Sequence, residues 1–169
     1  MNYYEIKEKS TVAPALLELA MAPGDWYEYY NFIARPVPNE PLIELDPLFK
    51  WLSGRYSFLT GVLRMDPYTC YDWHTDSRRG VGINMSLTPM MRSSSMFAPR
   101  KEGQVFKIAE LQYKPNTYYL YNTQVPHTVY NYEATRFMFS VEFELDKDQL
   151  TFKDLMQDIK ENYEKDRTE

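Results

Sequence analysis

Alternating apolar and polar positions predict that most of the chain is β-structure. From residue 56 onward, short runs rich in aromatic and β-branched residues are separated by turn formers such as Asp66-Pro67 and Lys114-Pro115-Asn116. The runs lie at residues 56–65, 69–73, 82–88, 94–97, 105–113, 117–122, 127–132 and 136–145. About eight such runs are enough for two packed sheets, so we predict a sandwich or jelly roll with its β core at about residues 56–145.

The last of these runs alternates most clearly, with the period of two that a strand requires. One face carries Phe137, Phe139, Val141 and Phe143. The opposite face carries Arg136, Met138, Ser140 and Glu142. Arg136 and Ser140 are therefore predicted to point into the same space.

The first third of the chain is predicted to be helical, with helices at residues 13–22 and 44–53. Residues 26–33 are aromatic, and their pattern leaves strand and helix open. Residues 35–41 contain three prolines and are predicted to be a loop, because proline disrupts both helices and strands.

The chain ends in a predicted amphipathic helix at about residues 149–163, where apolar side chains recur every three or four positions. The polar residues 164–169 are expected to fray. Because the sequence contains neither a repeat nor a low-complexity linker, we predict that residues 1–169 form one domain, mainly β with flanking helices.

Composition refines this picture. Fifteen tyrosines and nine phenylalanines suit half-buried strand surfaces. The net charge of −5 opposes a general phosphate-binding surface and so disfavours nucleic acid as a partner. Cys70 is the only cysteine, which excludes an internal disulfide, and we expect it to be a small buried hydrophobe. With no signal peptide or membrane span apparent, a cytoplasmic protein is expected.

Both histidines of the chain lie where a metal site would need them. His74 and Asp76 are two residues apart, so an extended segment points them to the same face. His127 begins a separate predicted strand. Two imidazoles and one carboxylate are the ligand set that holds non-haem iron(II) and leaves coordination positions open. The pattern therefore predicts a reactive metal site at His74, Asp76 and His127.

The sequences His74-Thr75-Asp76 and Pro126-His127, with Arg136 in an aromatic strand, resemble the iron(II)- and 2-oxoglutarate-dependent oxygenases. The likeness is to the small prolyl-hydroxylase-like and aspartyl-hydroxylase-like members and covers roughly residues 56–144. It implies a double-stranded β-helix, a distorted jelly roll of cupin-like architecture, with His74, Asp76 and His127 as the metal ligands. It also implies that Arg136 pairs with the far carboxylate of 2-oxoglutarate, which its planar fork can hold bidentately.

One position departs from the family pattern. Many relatives place a serine two residues after the arginine, where this chain has Met138. Ser140 or a tyrosine hydroxyl would have to supply the additional hydrogen bond. Further candidates for lining the co-substrate pocket are Tyr71 and Asn84. Asn84 lies in a polar row with Ser86 and Thr88.

The resemblance implies an enzyme that uses iron(II), 2-oxoglutarate and O2, with ascorbate as an optional addition. It would convert 2-oxoglutarate to succinate and carbon dioxide and hydroxylate an unactivated C–H bond. The carboxylate of Asp76 favours hydroxylation over halogenation, since halogenase relatives replace that ligand with a small residue. The primary substrate is not fixed; family analogy favours a protein side chain, selected by residues 35–41 and 90–103.

Two other functions stay open. A cupin-like metalloenzyme that does not use 2-oxoglutarate would share the architecture, although cupins usually employ more histidines than this chain has. A non-catalytic β-sandwich binding module would keep the scaffold alone. Beside the site, Arg78 and Arg79 are expected either to contact an acidic substrate or 2-oxoglutarate, or to lie in a solvated loop.

Overall fold

The computed structural model describes residues 1–30, 32–88, 92–102, 104–105 and 107–165. The strands are β1 (Tyr3–Lys9), β2 (Tyr27–Tyr29), β3 (Phe32–Val37), β4 (Phe58–Met65), β5 (Cys70–His74), β6 (Val81–Ser86), β7 (Ser93–Phe97), β8 (Arg100–Lys101), β9 (Gln104–Val105), β10 (Ala109–Leu111), β11 (Thr117–Asn122), β12 (His127–Asn131) and β13 (Arg136–Phe143). The helices are α1 (Ala13–Met21), α2 (Asn39–Leu45), α3 (Pro47–Ser53) and α4 (Phe152–Asp158), the last continued by a π-helical segment, Ile159–Tyr163. Among these described helices, none is long and apolar enough to cross a bilayer.

The strands form two main antiparallel sheets. The larger sheet has the order β1-β11-β6-β13-β4-β3-β2, and the smaller has the order β10-β7-β12-β5. A separate short ribbon pairs β8 with β9. Strand β13 lies in the middle of the larger sheet, paired with β4 from Arg136↔Met65 to Phe143↔Phe58 and with β6 on its other side. The predicted two-sheet β architecture is confirmed.

The main hydrophobic core lies on one face of the larger sheet, under the helices. Phe139 and Val141 of β13 are fully buried there against side chains such as Phe49 of α3 and Leu155 of α4. The opposite face of β13 turns toward a cavity lined by Arg136, Met138, Ser140 and Glu142. The predicted alternation along β13 is thus confirmed, because its apolar face packs on the helices and its polar face borders the cavity.

The N-terminal third was predicted to be helical, but it also contains the strands β1, β2 and β3. β1 pairs with β11 at one edge of the larger sheet, and β2 and β3 complete the other edge beside β4. Sequence reasoning missed β1 and left residues 26–33 undecided.

The prediction of a loop at residues 35–41 was wrong, because β3 extends to Val37 and α2 begins at Asn39. Pro36 lies past the end of β2, where β3 is an edge strand and proline is tolerated. Pro41 lies in the first turn of α2, where its missing N–H has no intrahelical acceptor to lose.

Other boundaries also differ from the prediction. The single helix expected at residues 44–53 is replaced by the end of α2 and by α3, because the Asp46 side chain accepts a hydrogen bond from the Leu48 N–H and caps a new helix that starts at Pro47. The single strand predicted at residues 105–113 is replaced by the end of β9 at Val105 and by β10, Ala109–Leu111, at the edge of the smaller sheet; residue 106 lies outside the described residues. The fraying expected at the C-terminus falls largely on residues 166–169, which also lie outside them. Cys70 is exposed, not buried as expected.

Gly80 is required where the loop after β5 passes under the C-terminal segment. A Cβ at this position would lie 2.4 Å from the Leu150 carbonyl oxygen, so Gly80→Ala has to displace backbone. We expect this change to lower the free energy of unfolding by about 1–3 kcal/mol, measured by urea denaturation. Gly54→Ala is the matched control: its new Cβ would lie no closer than 3.7 Å to the Trp51 carbonyl oxygen, and stability should be nearly unchanged. Equal effects of the two changes would contradict this account.

Candidate metal centre

The pairing of β5 with β12 brings the two histidines together. His74 at the end of β5 lies directly opposite His127 at the start of β12. Asp76 follows two residues after His74, and its Oδ1 lies 3.6 Å from His74 Nε2 and 3.9 Å from His127 Nε2. One potential ligand atom from each residue falls within 4.8 Å of the others. The three residues singled out from the sequence therefore converge, in a geometry compatible with one metal ion.

Hydrogen bonds to the backbone orient both imidazoles. His74 Nδ1 lies 2.6 Å from the Asp72 carbonyl oxygen, and His127 Nδ1 lies 2.8 Å from that of Val125. A carbonyl can only accept, so each Nδ1 carries a proton, and Nε2 is the ring nitrogen that is available to a metal. Burial lowers the pKa of His127 to about 4, which keeps this imidazole neutral near pH 7.

One ring nitrogen of His74 lacks a hydrogen-bond partner within the described part of the chain, as expected of a nitrogen that binds a metal. Its Nε2 is buried and has no hydrogen-bond partner among the described residues. Leaving a buried polar atom unpaired is costly, so the cluster is suited to an electrophile between these three side chains. Two neutral imidazole nitrogens with one carboxylate oxygen suit iron(II) and leave coordination positions open.

Hydrogen bonds connect the loop that carries Asp76 to the turn before β12. The Asp76 N–H donates to the Thr123 carbonyl at 3.0 Å, and the Gln124 side-chain amide donates to the Asp76 carbonyl at 2.9 Å. Arg79 donates from Nε to Asp76 Oδ2 at 2.8 Å. The Arg79 side chain is therefore not simply solvated, because it pairs with a candidate ligand and lines the cavity, whereas Arg78 is exposed beside Asp146.

The candidate site opens into a cavity of about 670 Å³ between the two sheets. The sequence-predicted residues on its walls are Tyr71, His74, Arg79, Asn84, His127, Arg136 and Ser140. Residues 35–40, which were expected to help select the substrate, also line it, although as strand and helix. The other expected selecting segment, residues 90–103, includes positions outside the described residues.

Arg136 lines this cavity and is 5% exposed. Its Nη2 donates to Ser95 Oγ at 3.0 Å, whereas Nη1 is buried and has no partner among the described residues. Burial lowers the pKa of Arg136, yet a guanidinium stays protonated at physiological pH. A buried cation with an unused donor is the receptor expected for one carboxylate.

Tyr113 lies beside Arg136. The guanidinium carbon of Arg136 lies 5.7 Å from the centre of the Tyr113 ring. Burial raises the pKa of Tyr113, while the positive charge of the neighbouring Arg136 opposes that rise. Where Met138 offers no hydroxyl, this tyrosine brings one to the arginine.

The remaining predicted residues have distinct places. Ser140 and Asn84 face each other across β13 and β6, next to Gly61 of β4, so they form one wall of the cavity. Tyr71 lies elsewhere, with its ring centre 3.9 Å from that of His74. It therefore packs on the candidate metal ligand, and no contact with Arg136 is seen among the described residues.

Sequence reasoning missed Tyr113, Ser95 and Tyr121. The Tyr121 ring is edge-on to His127 with centroids 5.1 Å apart. No local signal separates these tyrosines from the thirteen others, since fifteen are spread along the chain. Only the pairing of β7 with β12, Ser95↔Val129 and Phe97↔His127, could have placed Ser95 near the centre.

No protein-family profile and no curated protein matches this sequence. Solved structures do. A prolyl-4-hydroxylase from Pseudomonas putida aligns at a TM-score of 0.61 and 12% identity, over 85% of this chain and 92% of that one. A prolyl hydroxylase from Trichoplax adhaerens, in complex with a hypoxia inducible factor peptide fragment, aligns at 0.62 and 13%, over 86% and 83%.

A third structure was determined with 2-oxoglutarate bound. EvdO2 from Micromonospora carbonacea aligns at a TM-score of 0.57 and 14% identity, over 84% of this chain and 85% of that one. The sequence identities are too low to carry function, but the alignments extend over most of each chain. The chain therefore has the double-stranded β-helix fold of the iron(II)- and 2-oxoglutarate-dependent oxygenases, as the resemblance of its His-Asp-His motif implied.

Proposed function

We propose that this chain is a single oxygenase domain that uses iron(II), 2-oxoglutarate and O2 to hydroxylate a C–H bond of its substrate. One observation carries the proposal: a buried arginine with an unpartnered Nη1 shares a cavity with a converging His-Asp-His cluster. A metal site alone would fit many enzymes. Its combination with a preformed carboxylate receptor favours a co-substrate that carries a carboxylate far from its metal-binding end.

The three ligand residues would hold iron(II) through His74 Nε2, His127 Nε2 and Asp76 Oδ1. Bound there, iron(II) supplies the oxidising chemistry that couples decarboxylation of 2-oxoglutarate to substrate oxidation. The protein's own part is to orient both imidazoles through the Asp72 and Val125 carbonyls.

Arg136 would pair with the far carboxylate of 2-oxoglutarate, aided by the Tyr113 hydroxyl. Ser95 holds Nη2 of the guanidinium, so Nη1 is the donor left for the ligand. Asn84 and Ser140 border the path between Arg136 and the metal ligands and would contact the body of the co-substrate. Tyr71 would shield the metal side of the site by packing on His74.

A protein side chain is the substrate that we propose. The cavity wall formed by β2, β3 and the start of α2 is available to it, with Tyr27, Tyr29 and Asn39 among the lining residues. One of the structural relatives was solved with a peptide fragment, which supports this substrate class by analogy. The acidic charge of the chain gives no support to nucleic acid as a substrate.

The direct test is anaerobic addition of iron(II) and then 2-oxoglutarate to metal-free protein. We expect the visible charge-transfer band of a keto acid chelated to iron(II), and slow succinate release once air is admitted. Iron binding without the band would contradict the use of 2-oxoglutarate and favour a cupin-like metalloenzyme. Absence of iron binding would contradict both enzymes and favour a non-catalytic module.

Tyr113→Phe should weaken 2-oxoglutarate binding about tenfold without changing metal affinity, because it removes the hydroxyl proposed to donate to the far carboxylate beside Arg136. The titration of the charge-transfer band with 2-oxoglutarate measures this effect. Tyr119→Phe is the matched control, since the Tyr119 hydroxyl is hydrogen-bonded to the backbone of Lys114 and Gln112. A Tyr113→Phe protein with unchanged affinity would show that this hydroxyl does not assist Arg136.

A further inference from the structure

Arg79 binds only one of the two carboxylate oxygens of Asp76. Its Nε donates to Oδ2 at 2.8 Å, and its Nη2 lies 2.7 Å from the same atom. The other oxygen, Oδ1, is the one that lies near Nε2 of His74 and of His127. The two oxygens of this carboxylate are therefore separated in their roles before any metal binds.

This separation matters because a carboxylate can ligate a metal through one oxygen or through two. A chelating Asp76 would occupy two coordination positions, and the two imidazoles would occupy two more. A monodentate Asp76 leaves about three positions of an octahedron open. A bidentate keto acid and O2 together need three, so the mode of aspartate binding decides whether the centre can accept both.

We propose that Arg79 is a positioning residue that keeps Asp76 monodentate and thereby preserves the open coordination positions. The inference rests on the proposed metal site, and it assigns to Arg79 a role beyond simple charge neutralisation. Because Nε donates to Oδ2 and Nη2 lies 2.7 Å from it, turning that oxygen toward the metal would break a charge-assisted hydrogen bond and a close ion-pair contact.

The surroundings of Arg79 fix its guanidinium in this position. Its carbonyl oxygen accepts hydrogen bonds from Thr123 Oγ1 at 2.5 Å and from the Gln124 amide at 2.7 Å, which anchors the backbone. On the cavity side, its Nη1 lies 3.9 Å from Glu142 Oε2, and the Tyr29 hydroxyl donates to that same oxygen at 2.9 Å. Burial opposes the charge of Arg79, but Asp76, Tyr29 and Glu142 outweigh it, and the pKa of Arg79 is raised.

The fork geometry distinguishes Arg79 from a lysine at the same place. A lysine ammonium could reach Oδ2 as a point charge, but it would not offer two donors in one plane. Arg79→Lys should therefore restore part of the effect, whereas Arg79→Met should remove it while keeping a side chain of similar length. Both variants leave the three ligand residues unchanged.

The test counts water molecules on bound Mn²⁺, an air-stable probe for the iron(II) site, by proton relaxation. Wild-type protein should hold Mn²⁺ with about three coordinated waters, of which 2-oxoglutarate displaces about two. Arg79→Met should still bind Mn²⁺ but with about two waters, a loss of about one third of the inner-sphere relaxation. Arg79→Lys should fall between these values.

Arg78→Met is the matched control, because it removes one positive charge from the same loop while Arg78 is exposed and far from Oδ2. Its water count should equal that of the wild type. An unchanged count in Arg79→Met overturns the inference and leaves the proposed function standing. Loss of Mn²⁺ binding in a folded Arg79→Met protein also overturns it, since Arg79 would then be needed to place Asp76 at all. Failure of the wild type to bind Mn²⁺ would overturn both.

Discussion

Asp76→Ala is expected to abolish iron(II) binding and, with it, all turnover. Asp76 supplies the only carboxylate in the cluster with His74 and His127, and its Oδ1 lies within 4 Å of both Nε2 atoms. Removal of residues that merely orient ligands commonly lowers metal affinity 10- to 100-fold, so loss of a ligand should exceed about 100-fold. Equilibrium titration with iron(II) under anaerobic conditions measures the change.

Asp72→Ala is the matched control for this result. Asp72 is an exposed carboxylate only four residues away, its side chain accepts from the Trp73 N–H, and it contacts His74 through its carbonyl alone. The control should bind iron(II) like the wild type. Near-normal metal affinity in Asp76→Ala, with circular dichroism showing an intact fold, would show that the cluster is not the metal site.

Arg136→Met is expected to weaken 2-oxoglutarate binding by more than about 100-fold while leaving the metal in place. The guanidinium is 5% exposed, and its free Nη1 has no other described partner to satisfy it. Breaking a buried ion pair costs roughly 3–5 kcal/mol, and each 1.4 kcal/mol is a factor of ten in affinity. Methionine keeps most of the side-chain volume, so the fold should survive the change.

Two measurements separate this loss from a general defect. Iron(II) titration should give a wild-type result in Arg136→Met, whereas the charge-transfer titration with 2-oxoglutarate should shift to much higher concentrations. Arg64→Met serves as the control, since Arg64 neighbours this position on β4 but stacks on Trp26 and does not line the cavity. Unchanged 2-oxoglutarate affinity in Arg136→Met would show that the co-substrate is held elsewhere.

The alternation along β13 shows why much of the fold could be predicted. A strand with one apolar face and one polar face can bury only one of them against helices, so the side chains of Arg136 and Ser140 had to turn the other way. The prolines of residues 35–41 misled the prediction because their effect depends on tertiary position. Proline breaks a central strand but is tolerated on an edge, and only the short length of β2 exposes β3 at Pro36.

The candidate metal ligands were likewise predictable from local pattern, because His74 and Asp76 are two residues apart and the chain has only one other histidine. The partner of Arg136 was not. Tyr113 is an ordinary tyrosine in sequence, and it comes close to the Arg136 guanidinium only in the folded chain, where β10, two residues before it, pairs with β7.

By itself, the sequence determined the β-rich architecture, the faces of β13 and the identity of the three candidate ligands, because these follow from short-range periodicity and from the scarcity of histidine. The tertiary structure alone decided that His127 lies opposite His74, that Arg79 holds only Oδ2 of Asp76, and that Arg136 keeps one donor free. Strand register and side-chain contacts between distant segments depend on how the two sheets pack, and no local pattern encodes that packing.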